Sequence, residues 1–146
     1  MSAQTCELCE LTGGELLWQD ARCRVIRVAD AHYPAFCRVV WRRHVAEMTD
    51  LDTTDRAHLM DVVWATERVL RNAMQPDKIN LASFGNMVPH VHWHVIPRFS
   101  DDRHFPQSVW GTPQRDGLAH AGPASSVLTA ALEQILGPAT DGVPGR

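Results

Sequence analysis

The sequence has no run of about 18 apolar residues, so no membrane-spanning helix is expected. Neither sign of charge dominates. Lys and Arg total 14 against 17 Asp and Glu, and the net charge of −3 supplies no general attraction to nucleic acid or anionic lipid. There is no internal repeat and no low-complexity tract. The opening residues, Met1-Ser2-Ala3-Gln4-Thr5-Cys6, have neither a basic start nor an apolar stretch. A secretory leader is therefore not expected, and the cytoplasm is the default location. Only four cysteines occur, and in a reducing compartment they do not suggest a disulfide framework. Cys23 and Cys37 lie among apolar neighbours and read as small core residues. Cys6 and Cys9 form a C-x-x-C pair, compatible with a redox couple or with half of a zinc site. A redox pair usually opens a helix after a strand, and no strand or helix is expected around them.

What is present fits one domain. The 146 residues, 45% of them hydrophobic, suffice for one core, expected over 1–137 with a loose tail from 138 to 146. Three strands are expected at Glu15–Trp18, Cys23–Val28 and Phe36–Trp41. From Thr53 to Met74 the period changes. Leu59, Val62, Val63, Thr66, Leu70 and Ala73 recur at helical spacing, with Thr53 or Thr54 as cap and Pro76 as stop. Lys78–Phe84 and His90–Ile96 then read as strands, the second ended by Pro97. A long irregular loop follows from 98 to about 123, and a second helix covers Ser125–Leu136. Adjacent strands followed by helices imply an α+β fold with a mainly antiparallel five-stranded sheet, one long helix, a short C-terminal helix, and the helices on one face.

The densest chemical signal is His90-Val91-His92-Trp93-His94. On a strand the three histidines share one face, while Val91, Trp93 and Val95 share the core face. Three readings compete: a plain solvent face, a three-histidine metal site, and nucleophilic attack by an imidazole on phosphorus. Neutral imidazole is a competent nucleophile near pH 7 because its ordinary pKa is about 6.5. The preceding turn, Gly85-Asn86-Met87-Val88, can aim backbone N–H groups at an anion, and Arg98 follows the strand. That neighbourhood suits phosphate.

His90-Val91-His92-Trp93-His94-Val95-Ile96-Pro97 resembles the signature of the histidine triad superfamily. The resemblance extends back through Val39-Val40-Trp41-Arg42-Arg43-His44-Val45 to Cys6-Glu7-Leu8-Cys9, and covers about residues 6 to 110. It implies a homodimer acting on a nucleotide substrate, with hydrolysis or transfer of nucleoside monophosphates; the charge balance and hydropathy add the expectation of no nucleic-acid or membrane partner. By resemblance, His92 would attack the α-phosphorus and His94 would contact and protonate the leaving group. Asn86 and the backbone around Met87 would hold phosphate, Asn80, similar to the family's Asn at the end of the preceding strand, would contact substrate, and Asp30 would hold ribose. Cys6, Cys9, His44 and His90 would form a structural zinc (Zn2+) site. Phe36 stands where the family commonly has a fourth histidine, and Trp41 stands where it has proline. Phe36 cannot relay a proton, which motivates a second reading as a nucleotide-binding regulatory module with little turnover. A zinc enzyme using all three triad histidines is a third.

Overall fold

The structure, a computed structural model, describes residues 5–141. A short helix α1 (Glu7–Glu10) is followed by β1 (Glu15–Gln19), β2 (Cys23–Arg27) and β3 (Cys37–Trp41). The long helix α2 (Thr53–Met74), β4 (Lys78–Ala82), β5 (His92–Arg98) and α3 (Ser125–Leu136) complete the order. One antiparallel sheet runs β1-β2-β3-β5-β4. This is the α+β architecture the sequence pattern implies.

The core lies between the sheet and the two long helices. Leu59, Val62, Val63 and Leu70 of α2 and Leu128 and Leu132 of α3 pack on Val25, Val39, Trp41 and Val95. Each belongs to the apolar stripe of its helix or to alternate positions of its strand. A bulge between Leu16 and Trp18 turns both Leu17 and Trp18 into this core.

Four local details differ from the sequence expectation. The α2 cap is Asp52, not Thr53 or Thr54: its carboxylate accepts from Asp55 N at 2.8 Å, a stronger acceptor than a hydroxyl at the positive helix end. The C-x-x-C segment forms a turn of helix, α1, although no strand leads into it. Pro97 does not end the last strand, which continues to Arg98. β3 begins at Cys37 opposite Val95, so beyond Val95 the strand has a partner only on the β4 side. Pro97, paired with Ile79 of β4, therefore lies on a stretch of edge where its missing N–H costs no ladder bond. The fourth difference is at the strand's start. His90 lies outside the ladder, and Val91 instead bonds Val45 and Trp41. The expected loose tail falls partly outside the described residues. Of its described part, Thr140 N donates to Gln19 O at 3.0 Å, beside Trp18 Nε1 donating to Gly137 O.

Candidate active site and metal centre

Even-numbered residues of β5 face away from the helices. They do not meet solvent, as a one-sided sheet would suggest. The N-terminal segment covers one end of this face and the 99–123 loop the other, leaving His92 and His94 7% and 5% exposed. Between the covers lies a cleft of about 590 Å3 lined by His92, His94, Arg38, Asn86, Met87 and Trp110 among others. Gly85 makes the turn beside it with φ +78, a left-handed conformation that disfavours any side chain.

Hydrogen bonds fix the two imidazoles differently. His92 Nδ1 lies 2.6 Å from His90 O. A carbonyl only accepts, so Nδ1 carries the proton and Nε2 keeps its lone pair. His94 Nδ1 instead accepts from Arg38 Nε at 3.3 Å, so the neutral ring carries its proton on Nε2. The adjacent rings meet edge to face at 5.0 Å. Burial holds the His92 pKa below its ordinary value, with Arg38 acting in the same direction. For His94, burial first, then His92 and Arg38, push the pKa down to about 3. One neutral lone pair and one neutral N–H donor thus sit side by side at pH 7.

The His94 shift has a stability consequence. The unfolded chain protonates this ring near its ordinary pKa of about 6.5, the folded chain only near 3. Stability from keeping it neutral is fully present above about pH 6.5 and is lost as pH falls, by up to about 1.4 kcal/mol per pH unit. Urea unfolding of the wild type and of His94→Gln should therefore show a difference that shifts by this slope between pH 7 and pH 5. A constant difference contradicts the shift.

His90 belongs to a second constellation. Its Nε2 is 2.5 Å from Trp41 O, so that nitrogen donates and Nδ1 is the free donor atom. Nδ1 lies 3.5 Å from Cys6 Sγ, 3.4 Å from Cys9 Sγ and 3.3 Å from His44 Nδ1, with Cys9 Sγ 3.4 Å from His44 Nδ1. All four ligand atoms fall within 4.8 Å of one another. A tetrahedral zinc with ordinary bond lengths has N–S edges of about 3.6 Å and an N–N edge of about 3.3 Å. The donor set fits that ion in chemistry and spacing, and the Trp41 carbonyl orients His90 as carbonyls commonly orient ligating imidazoles. The triad is thus split between two sites.

Three residues read from the sequence as substrate contacts are engaged elsewhere. Arg98, taken as a phosphate contact, is 2% exposed, because the strand runs on through Pro97 and points it under the long loop. Its guanidinium pairs with both Asp102 oxygens at 2.8 and 3.1 Å and donates to Gln107 O. Asn80 Oδ1 accepts from Arg98 at 2.7 Å, which commits that oxygen. Asp30 Oδ1 accepts from the backbone N–H of His32 and Tyr33, closing its own turn. Asn86 and Met87, by contrast, line the cleft.

Asp102 anchors the loop that bears Trp110. Besides Arg98 it accepts from Tyr33 Oη and from the backbone N–H of Phe99, His104 and Phe105. Burial alone would raise its pKa, but Arg98 and the N–H donors outweigh burial and hold it well below the usual carboxylate range. His104, on the same loop, is buried at 8% exposure, with Nδ1 2.7 Å from Tyr33 Oη. Asp102→Asn is expected to lower stability by about 3 kcal/mol, read by denaturant unfolding, because Arg98 is left buried without its charge partner. A loss under about 1 kcal/mol would contradict that account.

Sequence reading did not single out Arg38 or Phe84. Phe36, Phe84 and Trp110 surround His94, with ring centroids 5.6, 6.2 and 4.8 Å away. Phe36, in the place of the family's fourth histidine, presents an apolar edge to His94 and is 3% exposed. The usable signal for Arg38 was its parity: it shares a strand face with Phe36 and Val40, and stands opposite His94.

A HIT domain family model matches residues 13–101, more than half of the chain. The chain belongs to the HIT family. A histidine triad protein from Bradyrhizobium japonicum has a similar structure, with a TM-score of 0.65 at 33% identity over 84% of this chain and 91% of that one. One from Marinobacter aquaeolei VT8 gives a TM-score of 0.72 at 25% identity, covering 90% and 97%. Among curated sequences, an AP-4-A phosphorylase from Mycobacterium tuberculosis is 31% identical over 85 residues, 54% of this chain. The match spans only 44% of that relative's length. This HIT-family chain thus carries the family's triad strand on the fold of its structural relatives. No helix among the described residues is long and apolar enough to cross a membrane.

Proposed function

We propose that this chain is a cytoplasmic nucleotidyl hydrolase or transferase that cleaves at the α-phosphate of nucleoside phosphoramidates or dinucleoside polyphosphates. His92 is the nucleophile, and the observation that carries the reading is its tautomer. With Nδ1–H given to His90 O, the Nε2 lone pair is free in a cleft large enough for a nucleotide. That lone pair attacks the α-phosphorus, a P–N bond forms, and the bond to the leaving group breaks with its electron pair on the departing atom: a phosphate oxygen leaves as the anion, and an amine nitrogen takes up a proton from solvent as it leaves. Water then displaces the histidine, the monophosphate is released, and the water's proton passes to solvent. His94 Nε2–H donates to a phosphate or leaving-group oxygen. Asn86 and the backbone at Met87 serve as further phosphate donors, a role supported by their place in the cleft lining beside the Gly85 turn. The dinucleoside polyphosphate class gains support from the likeness to an AP-4-A phosphorylase. Arg98 is left out of the binding assignment because its guanidinium is committed to Asp102, Asn80 and Gln107, while Asp30 and Asn80 each have one side-chain oxygen engaged in the fold and stand outside the cleft lining.

A zinc ion on Cys6, Cys9, His44 and His90 would be structural, joining the N-terminal segment to β3 and the approach to β5. The three-histidine zinc enzyme is disfavoured, since His90 directs both nitrogens away from His92 and His94. Phe36 supports one rival, a binding module with little turnover, because it offers His94 no proton. A homodimer, expected of the family, is testable by light scattering; among the described residues β4 is a terminal strand of the sheet.

The test is direct. The protein is mixed with a diadenosine polyphosphate or an adenosine phosphoramidate, quenched with acid-free denaturant, and digested for mass spectrometry. An added nucleoside monophosphate on the peptide bearing His92 is expected. Turnover without any adduct excludes the covalent route, and binding without turnover selects the regulatory reading.

A further inference from the structure

Arg38 is a half-buried arginine on the active face of β3, directly across the sheet from His94. Its Nε–H goes to His94 Nδ1 at 3.3 Å. None of the ion pairs among the described residues includes it. Among the described residues its remaining N–H donors have no hydrogen-bond partner, and Arg38 lines the same cleft as His92 and His94. It lies over the ring of Phe36, whose centroid is 5.7 Å from Cζ. Glu7, also on the cleft wall, is the carboxylate nearest in effect. A planar fork of N–H donors without an acceptor, half withdrawn from water, is a binding element for a multiply charged oxyanion.

We propose that Arg38 is a specificity residue that neutralises the leaving group, so that this site favours substrates whose leaving group departs as a polyphosphate anion over those that must expel an amine. This rests on the reading of His92 as nucleophile in a nucleotide cleft. The chemistry of departure makes the distinction. A terminal phosphate of a polyphosphate or nucleotide is a stable anion near pH 7, and what it needs is opposite charge at the breaking P–O bond. An amine leaving a phosphoramidate needs a proton before or during P–N cleavage. Next to His92, the described groups provide the first and are poor in the second. Arg38 supplies permanent charge and does not give up its proton. His94, receiving a bond from Arg38, is held neutral and serves as an N–H donor rather than as an acid. Phe36 stands where a further proton carrier would act.

The test compares kcat/KM for a diadenosine polyphosphate and an adenosine phosphoramidate in the wild type, Arg38→Met and Arg38→Lys. The wild type is expected to prefer the polyphosphate. In Arg38→Met the ratio of the two values should fall by about 30-fold, the effect of losing a charge-assisted contact to one leaving group only. Arg38→Lys should fall between, because it keeps charge but not the fork. Calorimetric binding of a methylene-bridged diadenosine polyphosphate and of AMP is measured in parallel, with the analogue weakened by Arg38→Met far more than AMP. Equal losses on both substrates, an unchanged ratio, or a wild-type preference for the phosphoramidate would overturn the proposal. Wild-type protein that binds both ligands without turnover defeats the catalytic reading alone, and the binding comparison still decides Arg38. Wild-type protein that binds neither overturns both.

Discussion

Replacing His92 with alanine is expected to abolish the nucleotidyl adduct and lower turnover by at least about 1,000-fold with the fold intact. The size of the effect follows from the role. A group that only binds phosphate contributes a few hydrogen bonds, whereas the attacking atom has no substitute in the cleft. His94 cannot take over. Its Nδ1 is engaged by Arg38 and its Nε2 carries a proton, so the ring offers no lone pair to the substrate. His90 cannot either, since it lies outside the cleft lining and directs Nδ1 at the two cysteines. Stopped-flow release of the leaving group and mass spectrometry of quenched samples check the outcome. His92→Ala protein that still turns over within about tenfold of the wild type would remove the nucleophile assignment.

The second large effect concerns the Cys2His2 centre. Cys6→Ser is expected to release about one zinc per chain and to lower stability by more than about 5 kcal/mol. Structural zinc sites in small domains contribute on the order of 10 kcal/mol, and part of that survives in the remaining ligands. The loss is local before it is global. Cys6 and Leu8 pack on Ile26 and Val40, and without the metal the segment still has this small cluster and the Arg24 bonds to Leu8, Leu11 and Thr12 carbonyls. Glu7 and Leu8 also wall the cleft, so the variant should bind nucleotide more weakly even where it remains folded. Inductively coupled plasma mass spectrometry with thermal unfolding reads both quantities. Full stability after chelation would make the cluster a set of unliganded side chains, and zinc retained in Cys6→Ser but lost in His94→Ala would move the metal to the triad.

Both predictions depend on a division of the triad that period-two patterning does not contain. The pattern places His90, His92 and His94 on one face, and on an unbroken strand they would be equivalent. They differ because β5 begins at His92, while His90 sits where the chain bonds to Val45 and Trp41 and turns toward the N-terminal cysteines.

The sequence alone determined the five strands and the two long helices, their antiparallel sheet, the helices on one face, the family, and the histidine and cysteine motifs. Each of these is encoded locally or by motif: by helical and strand periods, by Gly and Pro punctuation, and by histidine and cysteine spacing. Only the tertiary structure decided which tautomer each imidazole holds, because that depends on acceptors such as His90 O and donors such as Arg38 Nε brought in by folding. It also decided that Arg98 lies under a loop bound to Asp102 while Arg38 faces the cleft. No local pattern distinguishes an arginine that finds a buried carboxylate from one that does not. Charge type is written in the chain, but its pairing is set by where distant segments meet.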